Sequence, residues 1–243
     1  MAIGVVLKTV GELKEYVYRG LQQLPIIIAM TSFVYTIATG SLAHMNIFVG
    51  MAFVIPFITF LLQTLVAWSM NAVWANSIFW KRSGNDVCNI LPSVKHEEKI
   101  SYFDIAPTSG GAVPSYWLME VAFFIGYAMS NAGDSLMTPA AQCSSDVSLE
   151  KRNSHAMFVI VMLSIFAILT LFMRLFYMRD CEWSSWGGSV ISILCASGAA
   201  ALGYGSYVFS RKCGARSSDL FGILSQILPS SSTSAHPIVC TAD

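Results

Sequence analysis

Four histidines (His44, His96, His155 and His236) and six cysteines (Cys88, Cys143, Cys181, Cys195, Cys213 and Cys240) are the side chains of this sequence best suited to chemistry. Their spacing forms no recognisable centre. Structural and catalytic zinc sites gather ligands at short intervals such as Cys-x-x-Cys or His-Glu-x-x-His, and neither pattern occurs. The Gly-x-Ser-x-Gly elbow, the Gly-x-x-x-x-Gly-Lys-Ser/Thr phosphate loop and Gly-x-Gly-x-x-Gly are missing as well. A serine or cysteine hydrolase needs a base beside its nucleophile, yet every histidine falls in a stretch expected to be a loop or tail. The expectation is a protein that is not an enzyme and has no cofactor and no metal.

What the sequence has in abundance is apolar length. Hydrophobic residues make up 55% and charged ones 12%, with a mean hydropathy of +0.60; soluble domains carry about 25% charged residues. This is the composition of an integral membrane protein. A bilayer core of about 30 Å takes about 20 apolar residues at about 1.5 Å each, and residues 24–42, 47–73, 115–132, 156–177 and 186–209 approach or exceed that. The expected fold is therefore all-α. It has five transmembrane helices, an amphipathic N-terminal helix over 1–23 and a short amphipathic C-terminal helix over 219–228. In domain terms these are 1–23, a transmembrane hairpin 24–73, an extramembrane loop 74–114, a three-span region 115–209 and a tail 210–243.

The last stretch is ordered in detail. Ser197, Ala201 and Gly205 fall four apart, and so do Ala199 and Gly203, which makes two smooth strips on roughly opposite faces of one helix where other helices can approach. Residues 1–20 place Ile3, Val6, Leu7, Val10, Leu13 and Val17 on one side of a helical wheel and Lys8, Glu12, Glu15 and Arg19 on the other, with Lys14 the exception. That segment lies on a membrane surface or packs on its own bundle; its charges interrupt the apolar run, so it is not expected to be a cleaved secretory signal. Pro25 suits a helix start, residues 43–46 a tight link, and Pro56 a kink in the second arm of the hairpin.

Polar groups inside the spans are few. Gln63, Asn71, Glu120 and Asn131 are the set from which a channel or transporter subunit would be built, although interhelical hydrogen bonds are the favoured role for the amides. Glu120 lies one turn inside its span, where it could be a buried proton or cation ligand; reaching the interface is the favoured reading. Net formal charge is zero and no Lys/Arg run exceeds two residues, so no nucleic-acid partner is expected.

With five spans, nine Lys/Arg fall on the N-terminal face and five on the other, which by the positive-inside rule puts the N-terminus in the cytosol. Cys88 and Cys181 then share one face and Cys213 and Cys240 the other, with Cys143 left over. These are the pairs that could form disulfides in an oxidising compartment, free thiols being the alternative.

After the fifth span come Arg211, Lys212, Cys213, Gly214, Ala215 and Arg216, and then Asp219, Leu220, Phe221, Gly222, Ile223, Leu224, Ser225, Gln226, Ile227 and Leu228, stopped by Pro229. This run, with Pro237-Ile238-Val239-Cys240 near the end, resembles an uncharacterised family of multi-pass membrane proteins encoded by large nucleocytoplasmic DNA viruses. Asp86 to Pro92 and Pro114-Ser115-Tyr116-Trp117 share a weaker resemblance. It implies a giant-virus structural protein of the internal virion membrane and host-derived membranes. Such a protein would contact or anchor minor capsid proteins or other virion membrane proteins, alone or as a homo- or hetero-oligomer in the lipid bilayer. Leu220, Phe221, Leu224 and Ile227 are the expected partner-docking residues. The alternative is a small channel or transporter subunit.

Overall fold

The computed structural model describes residues 2–74, 113–137, 146–173, 186–213 and 219–221 of the 243-residue chain. Among them the regular structure is entirely helical: α1 (Ala2–Thr39), α2 (Leu42–Val49), a π-helical turn (Gly50–Val54), α3 (Ile55–Trp74), α4 (Tyr116–Met137), α5 (Asp146–Phe172) and α6 (Trp186–Cys213). Among the described residues three stretches are long and apolar enough to cross a membrane: Leu42–Met70, Glu150–Phe172 and Gly187–Cys213. Gln23–Thr39 is a shorter apolar helix, and α4 carries Glu120, Asn131 and Asp134 within its 22 residues.

α1 differs from expectation at Pro25, which lies inside one continuous helix of 38 residues. A proline there has no N–H for the carbonyl four residues back, and in an apolar surround an unmatched carbonyl is costly. The structure supplies the donor from another helix. Trp117 of α4 donates its Nε1–H to the Leu21 carbonyl at 2.6 Å, so the defect in α1 is also the bond that registers α1 against α4.

The first connection is tighter than expected and lies earlier, at Gly40 and Ser41, so that His44 and Asn46 are helical. Gly40 adopts φ 65°, the left-handed conformation that ends a helix without a Cβ penalty, and its N–H returns to the Thr36 carbonyl at 2.8 Å. Phe33 meets Phe48 at 4.8 Å between ring centroids, and Tyr35 stacks on His44 at 5.2 Å. The two arms therefore close as an antiparallel hairpin.

The second arm runs from Leu42 through the π turn into α3. Pro56 cannot donate to Ala52, and the ladder widens just before it: the N–H of Ile55 reaches the Gly50 carbonyl, five residues back. Within this turn Gly50 faces the ring of Phe123, where an added Cβ would collide with Cζ. Farther along, Gln63 donates Nε2–H to the Pro114 carbonyl at 2.8 Å. Rising numbers on the α2–α3 arm thus match falling numbers on α4, and the two are antiparallel.

α4 and α6 make the closest contact. A Cβ on Gly126 would overlap the Ala200 carbonyl oxygen, and one on Gly203 would overlap the Phe123 carbonyl oxygen. At one end Asp134 reaches Arg211, so the pair is parallel and α5 returns the chain between them. Ala156, Leu163 and Thr170 of α5, seven apart, are its buried line. α1, α4 and α6 therefore run one way, and α2–α3 and α5 the other.

The core holds Ala43, Ile47, Met51, Ile55, Met119, Phe123, Tyr127, Ala199 and Tyr207. Much of the outside is apolar as well, with Phe57, Phe60, Trp68, Phe158, Ile168 and Leu194 among the exposed large side chains. Hydroxyls on the helices are mostly turned back on their own backbone: Thr36 on Ser32, Thr64 on Phe60, Ser164 on Ile160, Thr170 on Phe166 and Ser197 on Ile193. Such bonds let a helix carry Ser or Thr toward lipid without an unmet donor.

Among the described residues, one of the two small-residue strips of α6 packs against another helix and the other does not. Ala199 and Gly203 are buried against α4, whereas Ser197, Ala201 and Gly205 are exposed and nothing stands within 4 Å of a Cβ built on Gly205. Gly203→Ala should therefore lower stability by about 1–3 kcal/mol, because the obstructing atoms are backbone, while Gly205→Ala should be neutral; thermal unfolding in detergent micelles checks both. A second cycle tests the α1 register. Trp117→Phe strands the Leu21 carbonyl and should cost about 1–3 kcal/mol, and most of that should vanish in the Pro25→Ala background, where the replaced residue supplies its own backbone N–H.

Candidate functional site: a polar lock across three helices

At the Met137 end of α4, polar side chains from three helices meet inside the bundle. Ser210 of α6 is fully buried. Its hydroxyl is bonded by the Asn46 amide of α2 and shares a 2.9 Å hydrogen bond with the Tyr127 hydroxyl of α4. One turn away, Tyr207 donates its O–H to Asp134 Oδ2 at 2.5 Å, and Arg211 Nε approaches the same oxygen at 2.8 Å. The rings of Tyr127 and Tyr207 cross edge to face, 5.7 Å between centroids.

The local sequence explains the placement. Tyr207 and Arg211 are four apart, so both extend along one side of α6 toward Asp134. Tyr127 and Asp134 are seven apart on α4 and keep the same azimuth after two turns. The glycine contacts at Gly126 and Gly203 bring the two backbones close enough for a single tyrosine to reach across. Each hydroxyl is matched, and charge-assisted bonds such as those to Asp134 are the stronger kind. With 28% and 32% side-chain exposure for Arg211 and Asp134, the ion pair is the outward rim of the cluster.

Sequence reasoning identified none of these six residues. Asn46 belongs to an expected link, Asp134 to an expected loop, Ser210 and Arg211 to an expected tail, and the helices extend past those boundaries because each polar end finds partners on another helix. The available signal was the four-residue spacing of Tyr207 and Arg211 at the exit of an apolar run.

The residues that were singled out are dispersed. Gln63 serves the Pro114 carbonyl, while Asn131 is buried about three turns, roughly 16 Å, from Glu120 along α4. Asn71 follows Met70, the last residue of α3 whose side chain is described. Glu120, expected to reach the interface, is instead buried at 2% exposure, since other helices enclose α4. Leu220 packs against the main core and Phe221 lines an apolar groove of about 390 Å³ with Leu24, Ile28, Phe124 and Phe158. The first two of the four expected docking residues are thus applied to the bundle itself; Leu224 and Ile227 lie outside the described residues.

Cys195 sits within α6 and Cys213 at its exposed end, neither in a disulfide with a described residue, while Cys88, Cys143, Cys181 and Cys240 lie outside the described residues. His44 Nδ1 pairs with Ser41 Oγ at 3.0 Å, and His155 is exposed on α5. No group of three or more His, Cys, Asp or Glu is arranged for a metal among the described residues.

Compared with protein-family models, curated proteins and solved structures, the chain matches none.

The arrangement joins helices through fixed donors and acceptors. Tyr127→Phe should lower stability by about 1–2 kcal/mol, because the buried Ser210 hydroxyl loses its bond to the phenol. Arg211→Gln should cost less, and only its effect should shrink as salt is raised. Thermal unfolding in micelles at low and high ionic strength separates the two.

Proposed function

We propose that this chain is a structural multi-pass membrane protein whose five helical passes form a scaffold in the internal membrane of a large DNA virus. In that membrane it anchors minor capsid proteins through its extramembrane segments. The observation that carries the scaffold part is the disposition of polar groups. Several of them join one helix to another or to the residues leading into α4, at Asn46–Ser210–Tyr127, Tyr207–Asp134–Arg211, Trp117–Leu21 and Gln63–Pro114, while the outside is rich in exposed large apolar side chains.

The alternating directions of α1, α2–α3, α4, α5 and α6 support five passes. α6 is long and apolar enough to cross, and α4 lies parallel and in backbone contact with it. A helix in that position crosses with its neighbour, its polar residues shielded by the surrounding helices rather than excluded from the bilayer. The viral and capsid parts rest on the resemblance carried by residues 211–229 and 237–240. The charge bias of nine to five supports a cytosolic N-terminus.

Two measurements test this. Cysteines introduced singly into 83–114 and into 222–236 should be labelled from opposite sides of the membrane by an impermeant reagent; labelling of both from one side rejects five passes. In the source particles, the protein should stay with the membrane on mild detergent extraction and cross-link to capsid components. Ion or solute flux through the purified protein in liposomes would replace the scaffold with a channel or transporter.

A further inference from the structure

α4 carries one carboxyl into the interior of the bundle at the end opposite the polar lock. Glu120 is 2% exposed, and Trp117, Met119, Val121 and Phe123 are buried around it in sequence. No described Lys, Arg or His forms an ion pair with it; Asp134–Arg211 lies about four turns away along α4. The described residues packed about this half of α4 include Leu24 of α1, Phe166 of α5 and Ala196 of α6, with Gln63 of α3 at its start. The titratable groups among them are Tyr116, one turn earlier on α4, and the Cys195 thiol of α6. Neither brings a positive charge.

Two further hydroxyls share this depth. Thr59 lies between Gly50, which meets Phe123, and Gln63, which meets Pro114. Ser192 lies two turns before Ala199 on α6 and so falls level with the first turns of α4. Both are buried, at 0% and 1% exposure, and among the described residues their oxygens have no hydrogen-bond partner, in contrast to the hydroxyls that bond back to their own helices.

Three helices thus each contribute a buried polar side chain at one level of an apolar interior. A carboxylate there without a counter-charge is strongly disfavoured. Taking up one proton removes the charge and converts an acceptor-only group into one that also donates. We propose that Glu120 is an intramembrane proton-binding site, holding one proton per chain as a neutral carboxylic acid between α3, α4 and α6. The site rests on the membrane-embedded bundle and is independent of the viral assignment.

Infrared spectroscopy of the full-length protein in phosphatidylcholine liposomes at neutral pH tests this directly. Wild type should show a carboxylic-acid C=O stretch that moves on exchange into D2O and on labelling with 13C-glutamate, and that is absent from Glu120→Gln. Glu120→Asp should restore an acid band that no longer responds to the glutamate label. If the acid band is missing from wild type and the Glu120→Gln difference spectrum shows loss of carboxylate absorption instead, Glu120 is ionised and the proposal is wrong. Should Glu120→Gln fail to fold, Glu120→Asp decides: a glutamate-labelled acid band that persists unchanged in it does not belong to Glu120, and the proposal is wrong. Flotation of the protein with the liposomes under alkaline wash reports embedding separately, so failure of the membrane reading is distinguishable from failure of the proton site.

Discussion

The close approach of α4 to α6 is the contact on which the rest of the bundle depends. It is made where Gly126 meets Ala200 and Gly203 meets Phe123 and Tyr127, with no side chain between the backbones. In lipid the usual gain from burying apolar surface is small, since the tails are as apolar as leucine, and association relies on packing and on hydrogen bonds. Near-contact of two backbones maximises the first and makes the second possible. Tyr127 reaches Ser210 and Tyr207 reaches Asp134 because the helices are this near. The α2–α3 arm then closes on the same pair, with Gly50 giving room to the Phe123 ring and Asn46 joining Ser210.

A second constraint is the accounting of backbone carbonyls. Pro25 and Pro56 each remove a donor inside a helix, and the chain answers in two ways: an indole from α4 for the Leu21 carbonyl, and a widened turn over Gly50–Val54 before Pro56. Each adjustment has a positional consequence. The first sets the depth of α1 relative to α4, and the second presents Gly50 to Phe123. Irregularities in single helices thereby become registration between helices.

Much of this was legible. The helical class followed from apolar length, and the strip of Ala199 and Gly203 was visible as a four-residue period. What escaped was whatever depended on which face met which neighbour. Two strips of small residues look alike in α6, yet Gly203 is enclosed and Gly205 is open. Glu120 looked interfacial because it lies one turn from a helix end, and only the surrounding helices make that end an interior. Asn46, Ser210 and Asp134 were assigned to connections because they stand at the margins of apolar runs.

The sequence by itself determined that the chain is helical and apolar enough for a membrane, and where the helices interrupt themselves. Hydrophobic length, glycine and proline act locally, so their effects can be read along the chain. Only the tertiary structure decided the parallel pairing of α4 with α6, the exchange of Leu21's missing donor for Trp117, and the assembly of Asn46, Tyr127, Asp134, Tyr207, Ser210 and Arg211. Those depend on azimuth and depth in neighbouring helices. A one-dimensional pattern specifies each helix's faces but not the partner that each face will meet.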